Sequence, residues 1–174
     1  MVVLVTGASG YIGSHIVANL LSKGKVVRAT VRDASDPERI DHLRKMEVAK
    51  GGSLEIIEMN LLDSESVHRA VYGCKEVIHT AAVVVLKSKN PQEKIVDPSV
   101  VGTQNVLDAI DSSETVECLV HTSSTAAIRP QRWEDGQTLT TDTWAEDANI
   151  EDNPYGLAKF SAERLVSNWH SSNK

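Results

Sequence analysis

The last predicted helix carries a tyrosine and a lysine that are spaced for joint acid–base chemistry. Tyr155 and Lys159 are four residues apart in "NPYGLAKFSAERL", which places both side chains on one helix face. A tyrosine that gives a proton to a carbonyl near neutral pH needs a neighbouring cation, because its ordinary pKa is about 10. An ammonium group about 4 Å away supplies roughly the required stabilisation. The pair predicts proton transfer in carbonyl reduction or alcohol oxidation.

Two serines follow the fifth apolar run, in "CLVHTSSTAAI". Ser123 and Ser124 are expected at the carboxyl end of a parallel strand, where α/β sheets bind their ligands. A serine hydroxyl in that place can hold a carbonyl oxygen by a hydrogen bond. The Y-x-x-x-K spacing is common on amphipathic helices, so it becomes indicative only together with these serines and a nucleotide site.

That nucleotide site is predicted by the glycines of "LVTGASGYIGSHIV". Gly7 permits a sharp turn, Gly10 lets the backbone approach a pyrophosphate, and Gly13 lets the helix pack close to the strand. The free N–H groups and the positive dipole end of the helix favour phosphate. A tight turn with incidental glycines is the alternative. The strand before the loop and the helix after it favour a dinucleotide.

The end of the second predicted strand, "ATVRDASDPER", bears on the choice of cofactor. An NAD site carries an acid here for the ribose 2′-hydroxyl, whereas this chain has Arg32 in that place. The fork of donors on a guanidinium suits a 2′-phosphate, so Arg32 and, more weakly, Arg39 predict NADP. Solvated surface arginines are the alternative, and Asp33 leaves NAD open.

Five apolar runs alternate with amphipathic stretches along the chain. Strands are predicted at 2–6, 26–31, 54–59, 76–82 and 118–124, and helices at 11–23, 36–50, 63–72, about 92–112 and 154–170. Asp63 is expected to cap the third helix, and Pro98 to kink or divide the fourth. The residues 128–153 read as a long surface loop that contains Trp133 and Trp144. Right-handed crossovers predict an α/β fold, a doubly wound parallel sheet of the Rossmann type with strand order 3-2-1-4-5.

The bulk properties of the 174 residues favour a cytoplasmic globular protein with reduced, buried cysteines and a small-molecule partner. A net charge of −6 argues against nucleic acid and anionic membranes. No apolar run approaches the roughly 18 residues of a membrane span, and the N-terminus does not read as a signal peptide. The histidines show no metal-ligand spacing, so no metal site is predicted.

Together these motifs resemble the extended short-chain dehydrogenase/reductase superfamily, which is epimerase/dehydratase-like, and within it the dihydroflavonol reductase/cinnamoyl-CoA reductase group. The matching segments are "VLVTGASGYIGSHIV", "VRATVRD", "NPQEKIVDPSVVGTQNVLDA", "VHTSSTAAI" and "YGLAK". The resemblance implies NADP-dependent reduction of a ketone or aldehyde, or the reverse oxidation. Two alternatives stay open: nucleotide-sugar epimerase or dehydratase chemistry, and a non-catalytic module that binds or senses NADP(H).

The resemblance also implies site residues. Ser124 polarises the carbonyl, Tyr155 is the acid/base, and Lys159 supports the tyrosine and holds a nicotinamide ribose hydroxyl. Arg32 and Arg39 contact the 2′-phosphate. The implied cofactor-binding set is Thr6, Gly7, Ser9, Gly10, Tyr11, Ile12, Gly13, Arg32, Arg39, Asn60, Leu61, Ala81, Ala82, Thr122, Ser123, Tyr155 and Lys159.

Three departures from the family pattern change the expectations. Asn60 stands where the family has an aspartate, which predicts a weaker adenine contact through an amide oxygen. Pro98 replaces an asparagine, which removes any proton relay that depends on it. Family members continue into a sixth strand and a substrate domain, so residues 1–174 are expected to form one truncated NAD(P)-binding domain. Its fifth strand would be an exposed edge that favours self-association into a homo-oligomer.

Overall fold

The structure is a computed structural model that describes residues 1–85 and 87–173. The chain divides into two compact units, Met1–Ala81 with Asp108–Thr122 and Ala82–Leu107 with Ser123–Lys174. Each unit has a buried apolar cluster of its own. Val5, Val17 and Val27 belong to the cluster of the first unit, and Ile95, Val96 and Ala158 form that of the second.

The first unit contains a parallel sheet of five strands. They are β1 (Val2–Thr6), β2 (Val26–Val31), β3 (Ser53–Glu58), β4 (Glu76–His79) and β5 (Cys118–His121). Their order is β3-β2-β1-β4-β5, which confirms the predicted order and the Rossmann-like α/β fold with flanking helices. The central strand has no exposed surface at Val3, Leu4 or Val5, because a parallel strand covered on both faces must be apolar throughout.

Three helices of the first unit alternate with these strands: α1 (Tyr11–Ser22), α2 (Pro37–Arg44) and α3 (Ser64–Val71). Asp63 caps α3 as predicted, since its carboxylate accepts the N–H groups of Glu65 and Ser66. The second helix ends at Arg44, not at 50, because the chain turns back toward α1. There the N–H of Ala49 donates to the carbonyl of Leu21 at 3.1 Å.

The fourth helical stretch is divided, as Pro98 predicted. A π-helical segment, Gln92–Val96, runs into α4 (Asp97–Asp111), and Pro98 is the second residue of α4. Proline has no N–H to donate to the preceding turn, so the regular hydrogen-bond pattern is interrupted at this point.

Two further helices, α5 (Thr125–Ile128) and α6 (Pro154–Ser172), belong to the second unit and pack against each other. The long segment between them has no helix or strand, as predicted, but side chains anchor it. Asp147 accepts the backbone N–H groups of Gln131 and Arg132 at 2.7 and 2.8 Å. Trp144 lies against α6, 5.0 Å below the guanidinium of Arg164 and edge-on to Phe160. Packing of the loop therefore accounts for Trp144.

Several predicted details were wrong. β4 and β5 end three residues earlier than predicted, at His79 and His121, and α5 was not predicted at all. Cys74 is buried, but Cys118 is exposed, because β5 lies at the end of the strand order.

Candidate functional site

The glycine loop joins β1 to α1 by a backbone path that side chains would block. Gly7 has a φ of +67°, and a Cβ atom there would lie 2.9 Å from the Cα of Ala81. A Cβ atom on Gly13 would lie 2.3 Å from the carbonyl oxygen of Gly7. Both glycines are therefore required by close approach, and Gly7 also by its left-handed backbone.

The N-terminus of α1 is open to an anion. Gly10 is its N-cap residue, no side chain caps the helix, and no acid lies in the first turn. Tyr11 and Ile12, the next two residues, are 81% and 54% exposed. The free N–H groups and the helix dipole suit a phosphate, so the cradle fits the pyrophosphate of a dinucleotide.

Thr6, unlike the exposed Tyr11 and Ile12, lies in the core beneath the glycine loop. It is fully buried, and its Oγ1 accepts the N–H groups of Thr80 and Ala81, each at 3.1 Å. With both lone pairs engaged, the hydroxyl must donate its proton to Nδ1 of His79, 2.8 Å away. His79 therefore carries its own proton on Nε2, and Thr6 positions the glycine loop against the end of β4.

The end of β2 separates the two candidate phosphate-binding arginines. Arg32 is exposed and has no ion pair or hydrogen bond within the described residues. Arg39 instead donates to Asp36, the N-cap residue of α2, at 2.9 Å. Asp33 accepts both the N–H and the hydroxyl of Ser35, which hold the pKa of its carboxyl below the usual range. The unpaired cation at this position is thus Arg32.

Asn60 and its neighbours follow the end of β3. The amide oxygen of Asn60 already accepts the N–H of Leu62 at 3.0 Å, so the loop itself uses part of its acceptor capacity. Leu61 is half-buried. At the carboxyl ends of β4 and β5, Ala81 lies beside Gly7, and the N–H of Thr122 donates to the carbonyl of His79. Ala82 is exposed, and Ser9 is half-buried.

The serines of the second unit have distinct surroundings. Ser124 is the N-cap residue of α5, and its hydroxyl oxygen accepts the N–H of Ala126 at 3.1 Å. Its O–H remains a donor, and the accepted hydrogen bond fixes the position of the oxygen. The hydroxyl of Ser123 is buried without a hydrogen-bond partner within the described residues.

Tyr155 and Lys159 lie in the first turns of α6, which begins at a capped N-terminus. Asn153 caps it by accepting the N–H of Gly156 at 2.8 Å. Tyr155 is half-buried, and Lys159 is only 8% exposed. Burial lowers the pKa of Lys159, while the charge of Glu163 opposes that shift. Sequence reasoning missed Glu163, although its spacing of four residues from Lys159 could have revealed it.

A pocket of about 360 Å³ lies in the same unit. Its lining adjoins Ser124 and Tyr155 in the sequence without including either of them. The lining residues are Thr125, Ala126, Arg129, Pro130, Gln131, Asp152 and Asn153. The groups supplied by Arg129, Gln131 and Asn153 can donate hydrogen bonds, so the pocket suits a polar small molecule.

Within residues 1–85 and 87–173, no three His, Cys, Asp or Glu side chains are grouped so that they could hold a metal ion. No helix in that part of the chain is both long enough and apolar enough to cross a membrane.

Comparison with known proteins identifies the family. The family model described as GDP-mannose 4,6 dehydratase matches residues 4–174. Cinnamoyl-CoA reductase CAD2 of Medicago truncatula is 42% identical over 153 residues, which cover 86% of this chain and 46% of that protein. The chain belongs to the extended short-chain dehydrogenase/reductase family.

Other members of this family give the same assignment. Cinnamoyl-CoA reductase 1 of Petunia hybrida is 39% identical over 168 residues, or 95% of this chain and 48% of that protein. The structure of Gre2 from Candida albicans in complex with NADPH has a TM-score of 0.82 at 27% identity and covers 100% of this chain and 54% of that one. The chain spans about half the length of the curated relatives it matches.

Proposed function

We propose that this chain is part of an NADP-dependent reductase that interconverts a ketone or aldehyde of a small molecule with the alcohol. The observation that carries the proposal lies in the second unit. Lys159 is buried one turn after Tyr155 on α6, and Ser124 caps α5, which packs against α6. The relatives named cinnamoyl-CoA reductase support the same reaction class.

The first unit would hold the cofactor. The N–H groups at the start of α1 would take its pyrophosphate, Arg32 would take a 2′-phosphate, and Asn60 would offer the adenine an amide oxygen with reduced acceptor capacity. Gre2 of Candida albicans, which is named as an NADPH complex, supports NADPH over NADH. When bound, NADPH supplies the hydride for the reaction.

Three side chains of the second unit would bind the carbonyl oxygen and supply its proton. Ser124 donates its O–H to the carbonyl oxygen, and the N–H of Ala126 keeps the serine oxygen in place. Tyr155 donates the proton that the reduced oxygen takes up. The ammonium of Lys159 stabilises the negative charge left on the tyrosine, and its burial strengthens that interaction because water screens it less.

Isothermal titration of the purified chain with NADPH and with NADH tests the cofactor assignment. We expect tighter binding of NADPH, and Arg32→Glu should weaken it about 10–100-fold, since a hydrogen bond to a charged group contributes about 1.5–3 kcal/mol. Arg69→Glu, the same charge reversal on α3, is the control and should leave the preference unchanged. If neither cofactor binds, the proposal fails; if both bind equally, the assignment to Arg32 fails.

Dehydratase or epimerase chemistry on a nucleotide sugar is the second candidate. The description of the matching family model, GDP-mannose 4,6 dehydratase, favours it. Such enzymes use the same tyrosine–lysine chemistry, so the products distinguish the two. A reductase converts NADPH to NADP in proportion to the alcohol formed, whereas a dehydratase or epimerase shows no net cofactor conversion. A non-catalytic NADP(H)-binding module would bind cofactor without either product.

Self-association through the edge of β5 is also part of the proposal. Cys118 is exposed, and Val120 is 51% exposed on this strand, which pairs with β4 on one side. Analytical ultracentrifugation should show a concentration-dependent dimer or larger species, and a clean monomer would contradict it. A cytoplasmic location, and a single NAD(P)-binding domain made of both units, remain predictions.

A further inference from the structure

Glu163 is an acidic residue on α6, the helix that also carries Tyr155 and Lys159. It follows Lys159 by four residues on α6, so the two side chains lie on one face. Lys159 is 8% exposed, and Oε2 of Glu163 is buried without a hydrogen-bond partner within the described residues. A buried carboxylate oxygen that accepts no hydrogen bond is costly, so it calls for a compensating charge nearby.

The two side chains act on each other through their charges. Burial lowers the pKa of Lys159, and the negative charge of Glu163 opposes that shift. Burial also raises the pKa of Glu163, and the positive charge of Lys159 opposes it. Apart from burial, the cause of each shift is the charge of the other side chain. The described residues contain no direct ion pair between them, so the attraction acts without direct contact, and the burial of Lys159 reduces its screening by water.

Of the segments that pack on α6 within this unit, α5 and the π-helical segment carry no charged side chain without a partner of its own. In the loop that carries Trp144, Asp147 is engaged by the N–H groups of Gln131 and Arg132. α5 has the sequence TAAI and carries no charged side chain. In the π-helical segment, Glu93 and Lys94 are exposed and pair with each other at 2.7 Å. Asp97, at the start of α4, accepts a hydrogen bond from Gln92. Arg164, next to Glu163 on α6, lies over the ring of Trp144.

We propose that Glu163 is a positioning residue whose carboxylate keeps the buried Lys159 protonated and so sets the upper end of the pH range in which Lys159 serves Tyr155. The part of this inference that assigns Lys159 to Tyr155 rests on the proposed function. The charge relation between Glu163 and Lys159 does not depend on it.

Nuclear magnetic resonance of the chain with isotopically labelled lysine tests the proposal directly. The signal that disappears in Lys159→Arg identifies Lys159, whose titration is then followed in unmodified protein and in Glu163→Gln. We expect the midpoint to fall by roughly one to two pH units when the countercharge is removed. Glu163→Asp should restore most of the shift, because it keeps the charge. Glu151→Gln, which removes an exposed carboxylate before α6, should leave the midpoint unchanged.

A midpoint that is the same in Glu163→Gln and in unmodified protein would overturn the proposal. If Glu163→Gln does not fold, the unmodified chain still provides the test through labelled carboxyl groups. Glu163 should then titrate above the ordinary range for glutamate, and the Lys159 signal should inflect at the same pH. Titration in the ordinary range without that inflection would also overturn it.

The same samples separate this inference from the proposed function. Calorimetric titration with NADPH reports on the cofactor site of the first unit. If NADPH does not bind but the titration midpoint of Lys159 falls in Glu163→Gln as expected, the reductase is refuted and the role of Glu163 is kept. If NADPH binds but the midpoint of Lys159 does not change in Glu163→Gln, the role of Glu163 is refuted and the cofactor assignment is kept.

Discussion

The glycine loop of the first unit and the 129–153 loop of the second are held in different ways. Around Gly7 and Gly13 the constraints come from backbone atoms, which lie where a Cβ would otherwise be. The second loop is held by side chains, chiefly Asp147 on two backbone N–H groups and Trp144 on α6. A position that backbone atoms enclose tolerates almost no side chain, whereas a loop anchored by a few side chains can change the residues that make no anchoring contact.

The largest expected effect is that of Gly13→Ala. Its Cβ would lie 2.3 Å from the Gly7 oxygen and 2.9 Å from the Cα of Ala8, so the loop or the helix must move. We expect a loss of about 2–3 kcal/mol in the free energy of unfolding and loss of NADPH binding, measured by denaturant titration and calorimetry. Gly10→Ala is the matched comparison, since its nearest contact would be 3.3 Å and it should lose much less stability than Gly13→Ala. Equal stability of both variants would show that backbone contact does not define the loop.

Tyr155→Phe should separate chemistry from binding. Removal of the hydroxyl leaves the packing of α6 in place but eliminates the proton donor, so turnover of an aldehyde or ketone should fall by about 10²–10⁴-fold. NADPH affinity should stay nearly unchanged, because the proposed pyrophosphate cradle and Arg32 belong to the first unit and keep their contacts. Turnover is followed by NADPH oxidation, and affinity by calorimetry. Substantial remaining activity would refute the acid/base role of Tyr155.

Asp147→Asn should have the smallest effect, and that effect should depend on pH. The N–H groups of Gln131 and Arg132 hold the pKa of Asp147 below its usual range in the folded chain. Its contribution is therefore present above the ordinary aspartate pKa and is lost as the pH falls through the lower, folded value. We expect faster hydrogen exchange at Gln131 and Arg132 in Asp147→Asn at neutral pH.

The difference between Asp147→Asn and unmodified protein should vanish in acid. Asp142→Asn, a change at another exposed acid of this loop, is the control and should leave both amides protected. Unchanged exchange in Asp147→Asn would show that other contacts hold the loop.

Local patterns in the sequence were sufficient for most of the fold. Apolar runs rich in valine and isoleucine mark the strands, and their alternation with helices leads to the parallel order of the sheet. The glycine spacing and the cap at Asp63 were equally readable, because each depends on the steric or hydrogen-bonding needs of its own turn. The division of the fourth helix at Pro98 was also predictable, because the missing N–H of a proline interrupts the hydrogen bonds of any helix, whatever its surroundings.

Contacts between residues distant in sequence decided the rest. β4 ends at His79 because the hydroxyl of Thr6, far away in the chain, takes the N–H groups of Thr80 and Ala81. The free state of Arg32 and the pairing of Arg39 with Asp36 likewise appear only in the folded loop. Spacing on a helix could show that Glu163 shares a face with Lys159. Only the tertiary structure shows that Oε2 of Glu163 is buried, because burial depends on the other segments that pack on that face.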